Sequence, residues 1–137
     1  MDVRLNIKMP KVSEKVQRKI DGNRRRAYLA TAAKGVEIIK ERTEKHTSIS
    51  GQRFKPYSQA YKESSGKTDP DLQVTGDMLG AIQAKATNSK GQIYFDAATE
   101  AAKARKNQAT RPFFGFNTKE EGRLSSVYGK NLMRGVE

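Results

Sequence analysis

The chain has no cysteine, no tryptophan, one histidine and four prolines among its 137 residues. Without cysteine there is no disulfide framework, no thiolate nucleophile and no Cys-based zinc site. One histidine is too few for an ordinary transition-metal centre, so no metal or other cofactor is expected. No apolar run approaches the roughly 20 residues that cross a bilayer. The opening stretch, Met1 to Pro10, alternates charged and apolar side chains and does not read as a signal peptide. Internal repeats are absent. These gaps argue against a membrane protein and against most catalytic classes. A cytoplasmic site of synthesis is the plain expectation.

Acidic residues are also scarce. Fifteen Asp and Glu stand against 27 Lys and Arg, a net charge of +12. A charge that large speaks about partners rather than fold: nucleic acid first, then a membrane surface or an acidic protein face. It is unevenly placed. Residues 1–62 carry 16 basic and 6 acidic side chains, and residues 63–137 carry 11 and 9. Hydrophobic content of 35% beside 31% charge is low for a self-contained core. Some burial is therefore expected to be completed against neighbouring subunits. The length fits one domain, 1–137.

Val3, Leu5, Ile7 and Met9 alternate with polar residues and predict a strand, ended by Pro10. Val12, Val16 and Ile20 recur at spacing four and predict a short helix. Asp21-Gly22-Asn23 is a turn signal, with Asn23 a fair N-cap. Residues 1–22 thus form an N-terminal strand and short helix. A long helix follows from Arg24 to about Thr47. Its stripe is Tyr28, Ala32, Val36 and Ile39, widened by Leu29, Ala33 and Ile38.

Residues 51–76 read as a mobile loop, with one or two helical turns allowed at Pro56 to Tyr61. Thr75 is a plausible N-cap for an apolar turn through Met78, Leu79 and Ile82. Extended chain from Ile82 to Thr87, the connection Asn88-Ser89-Lys90-Gly91 and a return strand Gln92 to Phe95 make a hairpin. Ala97 to Lys106 has helix-forming composition. Arg111 before Pro112 is pushed to an extended conformation, and Phe113-Phe114-Gly115-Phe116 is a short aromatic strand or clamp. Thr118 with Glu121 gives a capping box for a last helix, with Leu124, Val127, Tyr128 and Leu132 on one face. The fold class is α+β: a small antiparallel sheet packed with one long helix from the N-terminal half and a C-terminal helix.

No catalytic constellation stands out. His46 has only Glu44 and Ser48 near it in sequence, and a cation close to a helix C-terminus is favourable without any chemistry. Ser64-Ser65-Gly66-Lys67-Thr68 looks like the end of a phosphate-binding loop, but Tyr61 stands where its first glycine belongs and no buried strand precedes it. Asp71 after Pro70 lacks the carboxylate–lysine triplet of a metal-dependent nuclease. Asp69, Asp71 and Asp77 read as a polar loop. Arg24, Arg25 and Arg26 fall on the first turn of the expected long helix, where the macrodipole disfavours cations, so phosphate is a candidate partner. Phe113, Phe114 and Phe116 beside Arg111 are read as core or subunit contact ahead of base stacking.

Three runs in fixed order carry a resemblance. The first is Gly51-x-x-Phe54-x-Pro56-Tyr57-Ser58-x-x-Tyr61. The second is Leu72-x-x-Thr75-Gly76-x-Met78-Leu79-x-x-Ile82. The third is Arg111-Pro112-Phe113-Phe114-Gly115-Phe116, followed by Glu120-Glu121 at the head of the last helix. With the long basic helix before them, over residues 24–135, they resemble the tailed-phage virion morphogenesis or tail-completion proteins of the head–tail neck. Two departures stand out. Ala101-Ala102-Lys103 to Asn107-Gln108 occupies the place of an aromatic-Ala…His-Gln…Gly stretch that many relatives carry. Residues 1–22 are not a fixed part of the pattern.

The resemblance implies a non-enzymatic structural protein of the virion, made in the host cytoplasm. It would form a ring, often of six subunits, contact other neck and tail proteins, and surround the path of the packaged DNA. It implies no small-molecule substrate and no membrane. Arg24, Arg25 and Arg26 are the candidates to face DNA or the lumen. Phe54, Tyr57, Arg111, Phe113, Phe114 and Phe116 are the candidates for a subunit interface, a head-to-tail contact in a closed ring. The alternative expectation is a basic DNA- or RNA-binding accessory protein. A nuclease is a distant third.

Overall fold

The structure is a computed structural model that describes residues 13–66 and 77–136. Expectations for the strand at Val3 to Met9, for Lys67 to Asp71 and for the Thr75 cap lie outside the described residues. The elements run α1 (Glu14–Glu44), α2 (Gln59–Ser65), α3 (Asp77–Gly80), β1 (Ile82–Ala86), β2 (Gly91–Phe95), α4 (Ala98–Thr110) and α5 (Thr118–Leu132). β1 and β2 pair as a two-stranded antiparallel sheet. The class is α+β, as the sequence predicts.

The chain divides into two compact units. Among the described residues, one combines 13–36, 83–94 and 118–136, and the other combines 37–66, 77–82 and 95–117. Helix α1 contributes its first three-quarters to the former and its last turns to the latter.

The first unit corrects the largest sequence expectation. Asp21-Gly22-Asn23 is not a turn, and Asn23 is not an N-cap: α1 runs through all three without a break. The helix begins instead at Ser13, whose hydroxyl accepts the Val16 N–H at 3.3 Å. The reason lies in the burial register. Positions 20, 23, 27, 28, 31, 32 and 35 are buried, the i, i+3, i+4, i+7 recurrence of one helix face. Gly, Asp and Asn cost a helix only about 0.5–1 kcal/mol each relative to Ala. Burying one side chain the size of Ile20 or Leu132 returns about 1.5–3 kcal/mol.

Asn23 is polar on that face and is fully used there. Its amide donates to Leu132 O at 2.8 Å and Arg134 O at 2.9 Å, and its own oxygen accepts from the Arg26 guanidinium. Leu132 closes α5, so Asn23 supplies a partner for carbonyls that a helix end leaves orphaned. Ile20, Ala27 and Tyr28 of α1 form a core with Tyr128 and Leu132 of α5, with Val16, Ala86 and Val136 packed against it. The Tyr28 and Tyr128 rings lie 4.7 Å apart, tilted. The Tyr128 hydroxyl is buried beside the Tyr28 phenol. Burial pushes its pKa up, and the Tyr28 phenol adds to the shift. Gly91 opens β2 where the sheet meets α1: a Cβ there would lie 2.9 Å from Tyr28 O. Leu29 and Ala33, expected to widen the buried stripe, are exposed instead. The helix turns them to the opposite side from Tyr28, Thr31 and Ala32.

The hairpin connection forms as expected. Thr87 N–H bonds to Lys90 O at 2.9 Å, and the Thr87 hydroxyl accepts the N–H groups of Ser89 and Lys90.

The second unit buries Ile38, Ile39, Phe54, Met78, Leu79, Ala81, Ile82, Ala104, Phe113 and Phe114. Here α1 ends in a Schellman arrangement: His46 N–H reaches Thr43 O at 3.0 Å, and Thr47 N–H reaches Arg42 O at 3.1 Å. The left-handed residue is His46 itself, at φ 62°, where glycine is usual. The span 51–76 is not wholly loop. Helix α2 starts at the Ser58 cap, whose side chain accepts Tyr61 N–H, and stops at Gly66, φ 74°. Gly66 is therefore the end of a helix and not part of a phosphate cradle.

Two substitutions test these assignments by urea unfolding of the whole chain. Asn23→Leu leaves two carbonyls at the α5 terminus without a donor and is expected to cost about 2 kcal/mol; stability equal to the parent contradicts the assignment. His46→Gly removes a left-handed strain of about 1–2 kcal/mol and is expected to stabilise by about 1 kcal/mol; a loss of that size contradicts it.

Candidate functional site

The described parts of the three ordered sequence runs fall in the second unit, where polar side chains join the third run to the first. Arg111 joins the third run to the first. Its Nε donates to Lys55 O at 2.8 Å and its Nη2 to Pro56 O at 3.1 Å, while the guanidinium lies 4.6 Å from the centre of the Tyr57 ring. Tyr57 and Tyr61 rings are 4.4 Å apart. The result is a ladder of Arg111, Tyr57 and Tyr61, with Tyr61 exposed at its end.

The Pro112-Phe113-Phe114-Gly115 backbone is held at every carbonyl. Ile49 N–H donates to Pro112 O at 2.9 Å. Arg42 Nη2 donates to Phe113 O at 2.7 Å and to Gly115 O at 2.8 Å. Gln108 Nε2 donates to Phe114 O at 3.0 Å, and its Oε1 accepts the N–H groups of both Phe113 and Phe114. Asn117 Nδ2 donates to Ile49 O at 2.8 Å, closing the stitch from the far side. Of the expected short aromatic strand or clamp, the strand does not form. The Arg42 and Gln108 side chains and the Ile49 N–H already occupy groups that a strand would offer to a ladder. Gly115 sits at φ 146°, and a Cβ on it would stand 3.0 Å from Ile49 Cδ1.

The candidate interface residues therefore split. Phe54, Phe113 and Phe114 are buried, with Phe114 ring-stacked on Phe95 at 5.2 Å and edge-on to Phe113 at 6.2 Å. Tyr57, Arg111 and Phe116 are half-buried and present part of their surface. From the second run, Met78 lies beside Asn107 Nδ2 at 3.8 Å, and α3 packs on α4. His46 Nδ1 is buried without a partner among the described residues, and its carbonyl accepts Phe54 N–H at 2.9 Å.

Arg24, Arg25 and Arg26 lie inside α1, not on a first turn, so the macrodipole argument for them lapses. They also differ from one another. Arg24 pairs with Asp21 at 2.7 Å. Its guanidinium, with a second bond from Gln17, holds the Asp21 carboxyl below the usual range. Arg26 reaches Asn23, and Arg25 is exposed.

Two residues of structural weight have no role assigned from the sequence, Arg42 and Gln108, and Asn23 has a different one from the cap expected of it. Arg42 was findable, because it falls on the α1 stripe at 38, 39, 42 and 43. Among the described residues no group of three His, Asp or Glu gathers to hold a metal ion, and no helix is long and apolar enough to cross a membrane. No protein-family model, curated protein or solved structure matches the chain.

Gln108→Met keeps about the side chain's length and removes all three of its bonds. It is expected to lower the unfolding free energy by about 2–4 kcal/mol, because two N–H groups and one carbonyl lose their partners in a half-buried site. A change below about 0.5 kcal/mol in denaturant titration, the range of a neutral surface substitution, contradicts the assignment.

Proposed function

We propose that the chain is a structural protein of the phage neck, completing the tail or joining head to tail as a ring around the DNA path, without catalysis of its own. One observation carries the reading. The ordered motifs that resemble the tail-completion family are not scattered: Phe54, Met78, Leu79, Ile82, Phe113 and Phe114 are all buried in the same unit. Arg111 bonds directly from the third run to the backbone of the first. Motif residues that depend on one another in this way support a common framework rather than a chance succession of turn residues.

The framework leaves Tyr57, Tyr61, Arg111 and Phe116 partly on the surface beside a backbone already fixed by Arg42 and Gln108. A pre-ordered edge of this kind loses little entropy on docking and suits a head-to-tail contact between subunits. The buried phenylalanines would act behind that edge as its support.

Deleting the coding sequence from the parent phage genome is expected to yield filled heads and separate tails by electron microscopy, with infectious titre restored by the wild-type chain supplied in trans. Complete, infectious head–tail joints in its absence contradict the reading.

A further inference from the structure

The continuity of α1 creates a surface that a turn at residues 21–23 would have broken. Lys15, Arg18, Lys19, Arg25 and Arg26 are all exposed on the first part of this helix. Their spacing of three, four and seven residues sets them along one side. Among the described residues, no carboxylate pairs with Lys15, Arg18, Lys19 or Arg25. Arg24 is excluded, because Asp21 neutralises it.

Gly22 sits in the middle of this cationic side. It is exposed, its φ is helical, and a Cβ built on it meets nothing within 4 Å. Packing within the chain does not require a glycine there, and an exposed helix-interior glycine is a poor helix former. A position that stays bare at the centre of a cationic face lets an external backbone approach the helix closely.

We propose that this face of α1 binds the phosphate backbone of duplex DNA without reading its sequence, with Gly22 as the point of closest approach. Charge complementarity selects the partner. From Lys15 to Arg26 the helix advances about 16 Å, the axial span of roughly five successive phosphates of one strand. The face carries no aromatic ring, since Tyr28 is turned into the core, so it lacks the stacking platform that single strands use. It also lacks the apolar half of a membrane-surface helix, because Leu29 is its one exposed large hydrophobic residue. The proposal stands apart from the neck reading: the isolated chain tests it, and particle assembly tests the other.

The test measures binding of the full-length protein to a random-sequence DNA duplex by fluorescence anisotropy over a range of salt. Arg18→Gln with Arg25→Gln is expected to reduce the slope of log K against log salt by about 2. The charge-matched pair Arg105→Gln with Lys106→Gln, on exposed positions of α4, is expected to leave that slope unchanged. Gly22→Ala is expected to raise the Tm, and the bulkier Gly22→Leu to weaken duplex binding several-fold while the fold is kept. Equal loss of slope in both charge pairs, tighter binding of single strands than of duplex, or binding of anionic vesicles without binding of DNA each overturns the proposal.

Discussion

The pair of bonds from the Asn23 amide to the last carbonyl of α5 and to Arg134 O just beyond it is the constraint on which the first unit depends. It is a polar contact at the position where local sequence most strongly signals a chain reversal. With Asn23 committed there, α1 cannot turn at Gly22. Ile20 and Ala27 then stay on one stripe, and Tyr28 meets Tyr128. The same continuity places Gly91 against the α1 backbone and fixes where the hairpin begins. It also decides which cations share a side of the helix. A turn at residue 22 would have separated Lys15, Arg18 and Lys19 from Arg25 and Arg26.

The second unit relies on polar side chains for a different purpose. Its central segment, Pro112 to Gly115, is irregular and buried at Phe113 and Phe114, and buried backbone groups need partners. Arg42, Gln108 and Ile49 provide them. A chain with 31% charged residues and a modest apolar content can in this way hold an irregular segment in place without a large sheet. Arg111 extends the arrangement to the Lys55–Tyr57 loop, where it donates two bonds and stacks on an aromatic ring.

Much of this was legible beforehand. The fold class, the hairpin with its Asn88-Ser89 connection, α4, and the α5 face of Leu124, Tyr128 and Leu132 all follow from periodicity and turn chemistry. The rest was not legible because tertiary contacts decide which polar residues are punctuation and which side of a helix is buried. Local propensity favours a cap at Asn23 and a turn at Gly22, while the energy that overrides propensity comes from α5, more than a hundred residues away. Leu29 and Ala33 were placed inside because they are apolar, whereas register puts Asn23 and Thr31 inside and them outside. Of the candidate site, the three motif runs were visible as patterns. Gln108 was not, since nothing local distinguishes a glutamine that will bond three backbone groups from one in solvent.

The proposed neck role and the proposed DNA-binding face rest on different parts of the chain, the stitched motifs of one unit and the unbroken helix of the other. The helix through residues 21–23 is the more basic of these foundations. Residue-resolved amide hydrogen exchange across Arg18 to Ala32 examines it directly. Continuous protection through Asp21, Gly22 and Asn23, at the level of their helical neighbours, is the expected result. Fast exchange confined to those three residues, with protection resuming at Arg26 or Ala27, would contradict it.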